Sequence, residues 1–390
     1  MDLNSAWSSF LDNNYNHTNG NRSINGNGQH DYLDNHLIDD NTDNTSIDVP
    51  ICGDIYISTK TKILYLNQEI QLADVFWKIP IMEYSAKKEG VVKKQMKFNS
   101  LSKAELDTIL NNINDTDYVD QHIIQQIINP NGRIKFKDTR KISIGLSRKD
   151  IISYRCKKKS AFYNCFVMIL RINIHKDTNK KPFFKELHVK VFNTGKLEIP
   201  GIQDDKTLIQ LLNVVVKVLS PIVQSSSDKC EPLLDYLFDK TETVLINSNF
   251  NCGFYINREK LYTLLKYQYK INSNYDACSY PGIQSKFYHV STRTIQNGHQ
   301  PNDEELETLK ETHGKISTVS FMIFRTGSIL IVGKCTEDVL YEIYDFLKIV
   351  LQENFHDIYT KIIDRKQQQL EKERKEKKKK RKKKKLTILQ

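Results

Sequence analysis

The sequence predicts an α+β fold built from two copies of one unit, each a β-meander closed by a helix. Three observations carry that prediction. In residues 316–351, ISTVSFMIFRTGSILIVGKCTEDVLYEIYDFLKIVL, the β-branched and aromatic runs 319–324 and 329–332 flank Arg325-Thr326-Gly327-Ser328, a short polar turn whose glycine suits a positive φ. After Gly333 the period changes: Thr336-Glu337-Asp338 offers an N-cap and first-turn acids, and Val339, Leu340, Ile343, Leu347, Val350 and Leu351 recur at helical spacing. Displaced by 132 positions, the chain meets itself without a gap: Phe192-Asn193-Thr194-Gly195 falls on Phe324-Arg325-Thr326-Gly327, Ile199 on Ile331, Gly201 on Gly333, Leu208 on Leu340, and Val218-Leu219 on Val350-Leu351. Agreement at turn, strand and helix positions together marks an internal duplication.

The 390 residues suffice for two ordinary domains, and 39% hydrophobic with 10% aromatic content is globular. The formal charge of +11 is local: residues 361–390 hold 15 Lys and Arg against 4 Asp and Glu, while residues 1–50 carry 8 acids and a single Arg. The part between is mildly basic. Seven cysteines form no CxxC pair, and no His stands at zinc spacing from them, which predicts free thiols in a reducing compartment and no structural metal. The apolar runs read as strand-length and amphipathic, short of a membrane span, and the N-terminus lacks a signal-peptide core, so a soluble intracellular protein is expected.

Taken in order, residues 1–48 form an Asn- and Asp-rich leader expected to be disordered. Residues 49–79, with apolar runs at 55–57 and 63–66, are expected as an appended segment. The first repeat is placed at 80–224. It opens on a possible strand, and Ser102 with Glu105 forms a capping box for a helix over 103–113. An insertion near 114–150 contains the turn Asn129-Pro130-Asn131-Gly132. A strand over 162–174, a hairpin over 187–199 and a helix over 204–219 ended by Pro221 complete the repeat, and Ser225-Ser226-Ser227 links onward. The second repeat, 225–358, has a strand at 243–254, a helix at 258–267, a turn at Tyr280-Pro281-Gly282 leading into a strand, and a polar insertion near 297–314. A basic tail, 359–390, is expected to be disordered. Each half thus reads strand, helix, three-stranded meander, helix.

The hairpin strands are apolar on both faces. Val319, Phe321, Ile323, Ile329 and Ile331 point one way, and Met322, Phe324, Leu330 and Val332 the other. One face packs under helices. The other is either covered by 51–80 and 114–150 or left open, and a large open apolar sheet is normally a binding surface.

The stretches YDACSYPGIQSKFY (275–288) and VSFMIFRTGSILIVGKCTEDVLYEIYDFLKIVLQ (319–352) resemble the second repeat of the TATA-box-binding protein (TBP) family, and FYNCFVMILRI (162–172) with VKVFNTGKLEIPG (189–201) resembles the first. The likeness covers about 80–356, and the insertions and Asn-rich leader make it most similar to the divergent TBP-like proteins of giant DNA viruses. The resemblance implies a saddle of two repeats, each a curved antiparallel sheet with two helices on its convex face. It implies a transcription-initiation factor that binds and bends A·T-rich promoter DNA through the minor groove, with aromatic wedges entering base steps. On that likeness Phe192 and Phe324 are wedges, Tyr280 is the second-repeat partner, and Phe162 or Phe166 is the first-repeat partner. Arg171 and Lys286 match phosphate-contacting positions, and Lys196 follows the first Gly turn. Leu330 and Val332 match the groove-floor surface, and Asn247, or Asn249 one register on, matches a central Asn.

Three departures stand out. Glu198 and Pro200 replace a Val and a Thr on the first-repeat sheet, Val332 replaces the second Thr, and no first-repeat Asn is found near 81–84. A carboxylate facing a groove of negative potential opposes binding, so bendable A·T-rich DNA is implied more than TATA readout. The likeness further implies partners: double-stranded DNA, a IIB-like factor docking near Tyr275 and Asp276, and an RNA polymerase, with the protein a monomer on DNA in the host nucleus, a viral factory or the virion. The tail 377–385, all Lys except Arg381, suits phosphate neutralisation or nuclear import. No enzyme and no cofactor is expected: Thr194-Gly195-Lys196 lacks the upstream Gly of a phosphate loop, and no nucleophile–base pairing stands out. The competing reading is a protein-interaction module on the same fold that has lost DNA binding.

Overall fold

The computed structural model describes residues 48–114, 118–152, 163–174, 181–224 and 232–360. The leader through residue 47, Phe162, the Ser225-Ser226-Ser227 linker and the tail from residue 361 lie outside them. The chain divides into two compact units, the first holding Ile57–Asn247 with Gly333–Cys335, and the second holding Ser248–Val332 together with the stretch ending at Tyr56 and the one from Thr336 onward.

Unit 1 runs β1 (Tyr56–Leu66), α1 (Leu72–Lys78), β2 (Gly90–Ser100), α2 (Lys103–Asn114), β3 (Val119–Ile128), β4 (Phe136–Gly145), α3 (Arg148–Ile152), β5 (Cys165–Asn173), β6 (Phe184–Phe192), β7 (Lys196–Ile202), α4 (Asp205–Gln224) and most of β8 (Tyr236–Asn251). Its strands are hydrogen-bonded in the order β3-β4-β2-β5-β6-β7-β1-β8. Alternation sorts the side chains: Phe166, Met168, Leu170 and Ile172 of β5, and Leu187, Val189 and Val191 of β6, face one core with Val75 and Phe76 of α1 and Leu208, Leu211 and Val215 of α4. Each fully buried aliphatic side chain there contributes about 1.5–3 kcal/mol. By length and apolarity alone, α4 would pass as a membrane span, contrary to the expectation that no run is long enough. Its inward positions belong to this core. Pro221 does not end the helix, which continues to Gln224 because Ile222 and Val223 are still packed inward.

Unit 2 takes the end of β8, then α5 (Arg258–Thr263), which widens into a π turn over Leu264–Gln268, β9 (Asn272–Asn274), β10 (Gly282–Val290), α6 (Asp303–Glu311), β11 (Ile316–Phe324), β12 (Ser328–Gly333), α7 (Glu337–Glu353) and α8 (Phe355–Ile358). Beyond β8 the order is β12-β11-β10-β9. The expected cap is in place, with Val339 N–H donating to Thr336 Oγ1 at 3.4 Å. Leu340, Ile343, Leu347 and Leu351 are fully buried, as are Leu208, Leu211, Val215 and Leu219 at the matching positions of α4.

The duplication extends to single hydrogen bonds. Leu66 N–H donates to Gly195 O at 2.8 Å, and Cys252 N–H to Gly327 O at 2.9 Å; Ile70 N–H donates to Asn193 O, and Ile256 N–H to Arg325 O, both at 2.9 Å. Gly195 and Gly327 have φ of 75° and 78°, and a Cβ on either would stand 2.4 Å from Gln68 O or 2.2 Å from Phe254 O respectively. Every one of these pairs relates β1 and α1 to β8 and α5 by the same 186 positions.

That spacing corrects the expected domain plan. Residues 49–79 are not an appendage: they supply β1, which pairs with β7, and α1, whose Val75 and Phe76 are core residues. The helix expected at 103–113 does form, with Glu105 N–H donating to Ser102 Oγ at 3.2 Å. It belongs to the insertion, which also contains the β3–β4 hairpin and α3. The hairpin extends the sheet beyond β2, and β1 lies within the sheet, so neither segment lies over the open face. The sequence reading also omitted a strand in the second half, the short β9.

Candidate nucleic-acid interface

The face of each sheet opposite the helices carries the candidate site. In unit 2 the register Gly282↔Phe324, Gln284↔Met322 and Lys286↔Ser320 puts Phe324, Met322, Gln284 and Lys286 on this face, because Ile283, Phe287, Phe321 and Ile323 are buried on the other. Tyr280 stands two residues before β10, its ring centroid 6.1 Å from that of Phe324. Both rings are half-buried. Gly282 makes their approach possible: a Cβ there would lie 3.0 Å from Phe324 Cε1 and 3.1 Å from Tyr280 Cε1. Burial pushes the Tyr280 phenol up to about 12, so it stays neutral at physiological pH. Leu330 is half-buried and Val332 7% exposed on the same face of β12.

The loop that carries Tyr280 is braced by Arg258. Its guanidinium lies 5.3 Å from the centroid of the Tyr275 ring and donates to Pro281 O. Asp276 accepts from Cys278 N–H at 2.9 Å, and that bond, followed by one from Ser279, holds its carboxyl below the usual range. Tyr275 is half-buried and Asp276 is exposed.

In unit 1 the corresponding pair is set by register. Cys165↔Phe192 is the first pair of β5–β6, as Gly282↔Phe324 is of β10–β11, so the residue two before it, Tyr163, occupies the place of Tyr280. The sequence reading offered Phe162 or Phe166 instead. Phe162 lies outside the described residues. Phe166 is fully buried in the helix-side core, 6.4 Å from Phe76 between ring centroids, and is removed from the candidate set by its facing. Tyr163 is half-exposed, with Lys97 Nζ 3.8 Å from its ring centroid. Phe192 is half-buried, with Lys196 Nζ 5.4 Å from its centroid. The signal was present in the chain, since Tyr163-Asn164-Cys165 and Tyr280-Pro281-Gly282 share their Tyr, but using it required knowing where the gap falls.

The basic positions also change. Arg171 is 8% exposed and committed internally: it donates to Tyr84 O at 2.7 Å and Ala86 O at 3.0 Å, pairs with Glu186 at 3.1 Å, and stacks on Tyr84. Its counterpart in unit 2 is Tyr288, and Lys286 corresponds to Ile169. The carboxylate of Glu198 does face the open side, but Lys190 on β6 meets it at 2.6 Å. Pro200 sits at an irregularity in β1–β7 pairing, beside Gly201 at φ 87°, where a missing N–H costs no ladder bond. Asn247 is 6% exposed; its Nδ2 donates to Thr59 Oγ1 at 3.3 Å, and its Oδ1 has no hydrogen-bond partner among the described residues. Asn249 shares its face. The first-unit counterparts are Thr61 and Ile63, on β1, far in sequence from the 81–84 region where an Asn was sought. Among the described residues no group of three or more His, Cys, Asp or Glu is arranged to hold a metal.

Two copies of one strand–helix–sheet–helix unit, each with an aromatic pair at the same corner of its open face, define the class to which this chain belongs. No protein-family model matches the sequence. It is 23% identical over 327 residues to the TATA-box-binding protein-like protein of Acanthamoeba polyphaga mimivirus, an alignment covering 81% of this chain and 79% of the viral one. The chain is a TBP-like protein, homologous to that viral protein. It is also similar to Methanococcus jannaschii TBP, with 10% identity and a TM-score of 0.32 over 76% of this chain and 98% of that one.

Proposed function

We propose that the open faces bind and bend A·T-rich duplex DNA through the minor groove, with Tyr280 and Phe324 in unit 2 and Tyr163 and Phe192 in unit 1 entering base steps, in a transcription-initiation role. The observation that carries this reading is the Tyr280–Phe324 pair, two half-exposed rings admitted to one sheet corner by a glycine that no other residue could replace without displacing them. Inserting an aromatic ring compensates for unstacking because the ring stacks on the freed base. Leu330 and Val332 supply apolar floor beside it. Lys196 and Lys286 position the backbone. The braced loop of Tyr275 and Asp276 would receive a IIB-like factor, and a polymerase would follow. Such a role belongs in the host nucleus or a viral factory.

The competing reading, a protein-docking face without DNA binding, drew on Glu198 and Pro200. The ion pair of Glu198 with Lys190 weakens that objection, because the carboxylate is already offset within the sheet, and Pro200 sits where the β1–β7 pairing is irregular.

The test uses the full chain and measures binding and bending of an A·T-rich against a G·C-rich duplex for wild type, Phe192→Ala, Phe324→Ala and the double variant. Each single change should weaken A·T-rich binding by about 1–3 kcal/mol, roughly fivefold to 150-fold. Bending should vanish in the double variant. Equal binding of both duplexes, untouched by the substitutions, would overturn the wedge reading and favour the protein-docking one.

A further inference from the structure

The strand order ends on β9 at one side and on β3 at the other, and the two ends are protected differently. β9 is three residues long, too short to template a further strand. β3 runs for ten residues, pairs with β4 on one side, and has no neighbouring strand on the other among the described residues. Edge strands are ordinarily guarded by lysine, proline or brevity, and VDQHIIQQII has none of these; a bulge at Ile124 is its one irregularity. Its isoleucines stand in solvent, Ile123 50% exposed, Ile124 42% and Ile128 68%. An open strand edge beside exposed isoleucine is a template for one more strand.

The sequence of β3 says which strand fits. Ile123-Ile124-Gln125-Gln126-Ile127-Ile128 reads the same in both directions, so in a second copy running antiparallel the isoleucine ends meet and the glutamine centres meet. The faces fix the register. Ile123, Gln126 and Ile128 stand opposite Arg140, Asp138 and Phe136 and share one face, while Gln125 and Ile127, opposite Thr139 and Lys137, share the other. Directly opposed residues of an antiparallel pair share a face. A two-fold axis at Gln126 meets that condition: Gln126 faces its own copy, Gln125 faces Ile127, and Ile123 faces Ile128, with Ile124 left as the extra residue of the bulge. The two amides at the axis can each donate and accept. The same register carries Asp120 past the end of the other copy's β3, beside a hairpin loop, 129–135, in which Arg133 and Lys135 are exposed, so opposite charges meet at both ends.

We propose that β3 is a self-association edge, through which two copies of the chain join antiparallel about a two-fold axis at Gln126. Joining consumes both β3 edges, and the strand order of the pair then ends on β9 at either side, so assembly closes at two chains. The contact is small, which makes the association concentration-dependent. It rests on the sheet edge alone and is independent of the DNA reading.

The test follows the mass of the full-length chain by sedimentation equilibrium over a concentration series, for wild type and Ile128→Lys under reducing conditions. Wild type should rise from one chain to two and no further. Ile128→Lys, at an exposed position, should keep the wild-type thermal unfolding profile and raise the dimer Kd about tenfold or more, because each pair then sets two lysines against Ile123. Gln126→Cys, oxidised with diamide, reads the register: residues opposed across the axis lie within disulfide reach, so this variant should give covalent dimer above the wild-type level, which Cys278 sets by its exposure. Gln125→Cys, facing Ile127, should give little. A single-chain mass at every concentration, a dimer untouched by Ile128→Lys, or growth beyond two chains overturns the proposal, as does equal cross-linking of the two cysteine variants.

Discussion

At the same corner of the same strand pair, unit 2 places Tyr280 against Phe324, and unit 1 places Tyr163 under Lys97 with Phe192 beside Lys196. Further along the face, unit 2 has Met322, Leu330 and Val332, while unit 1 has Lys190 locked to Glu198. The helix sides barely differ: the buried positions of α4 and α7 coincide, and the turn glycines touch corresponding carbonyls. Burial constrains one face of a duplicated sheet in both copies, because a misplaced polar group there is costly, whereas the open face is free to diverge. The divergence leaves the open face of unit 2 apolar beside its aromatic pair and that of unit 1 charged.

If the turns are equivalent, Gly195→Ala and Gly327→Ala should each destabilise by about 3 kcal/mol or more, combining a left-handed backbone with a Cβ driven into a carbonyl. Urea unfolding measures both, and tolerance of either one would break the equivalence.

A second comparison lies within the cores. Lys94 is 3% exposed and caps α1, its Nζ donating to Phe76 O, Trp77 O and Ile79 O at 2.7, 3.1 and 2.8 Å. The corresponding residue in unit 2 is Ser273, bonded to Ser285 at 2.8 Å. Lys94→Met should cost about 2–3 kcal/mol through orphaned carbonyls, and Ser273→Ala about 1. Burial pushes the Lys94 amine down to about 8, from 10.5. Between those values the unfolded chain holds the proton that the folded one has released, so the contribution of Lys94 to unfolding free energy rises with pH across that window and is level below it. The wild-type minus Lys94→Met difference, measured from pH 7 to 10.5, should climb; a flat profile would show that the amine keeps its proton.

The smallest effect sharpens the contrast between open faces. Glu198→Val removes a carboxylate and releases Lys190, and A·T-rich binding should tighten a few-fold, about 0.5–1 kcal/mol. Weaker binding in titrations at fixed salt would mean that the ion pair itself shapes the site.

Much of this plan was legible in the chain. The equivalence of Phe192 and Phe324 could be seen because each immediately precedes a Gly turn, and the helix faces because burial imposes a period. The insertion helix was announced by Ser102 and Glu105. Phe166 was misread because a side chain's face depends on register, and moving a strand by one residue exchanges its faces; Arg171 was misread because its guanidinium is engaged by Tyr84 O, Ala86 O and Glu186, which lie far from it in sequence or across a strand pair. Glu198 looked like an obstacle because its partner, Lys190, lies across a strand pair.

By itself the sequence determined the duplication at 132 positions, the hairpin turns and the closing helices, since turn chemistry and helical periodicity are local and survive without the rest of the fold. Only the tertiary structure decided where the first unit begins. Across residues 56–78 and 242–264, Ile70 and Ile256 are the sole identical pair, and what the two stretches share is hydrogen bonding to Asn193 and Gly195 or to Arg325 and Gly327. It likewise decided that Tyr163 is the partner position to Phe192. Backbone pairing fixes which residues face each other, and that pairing can be kept while nearly every side chain along it changes.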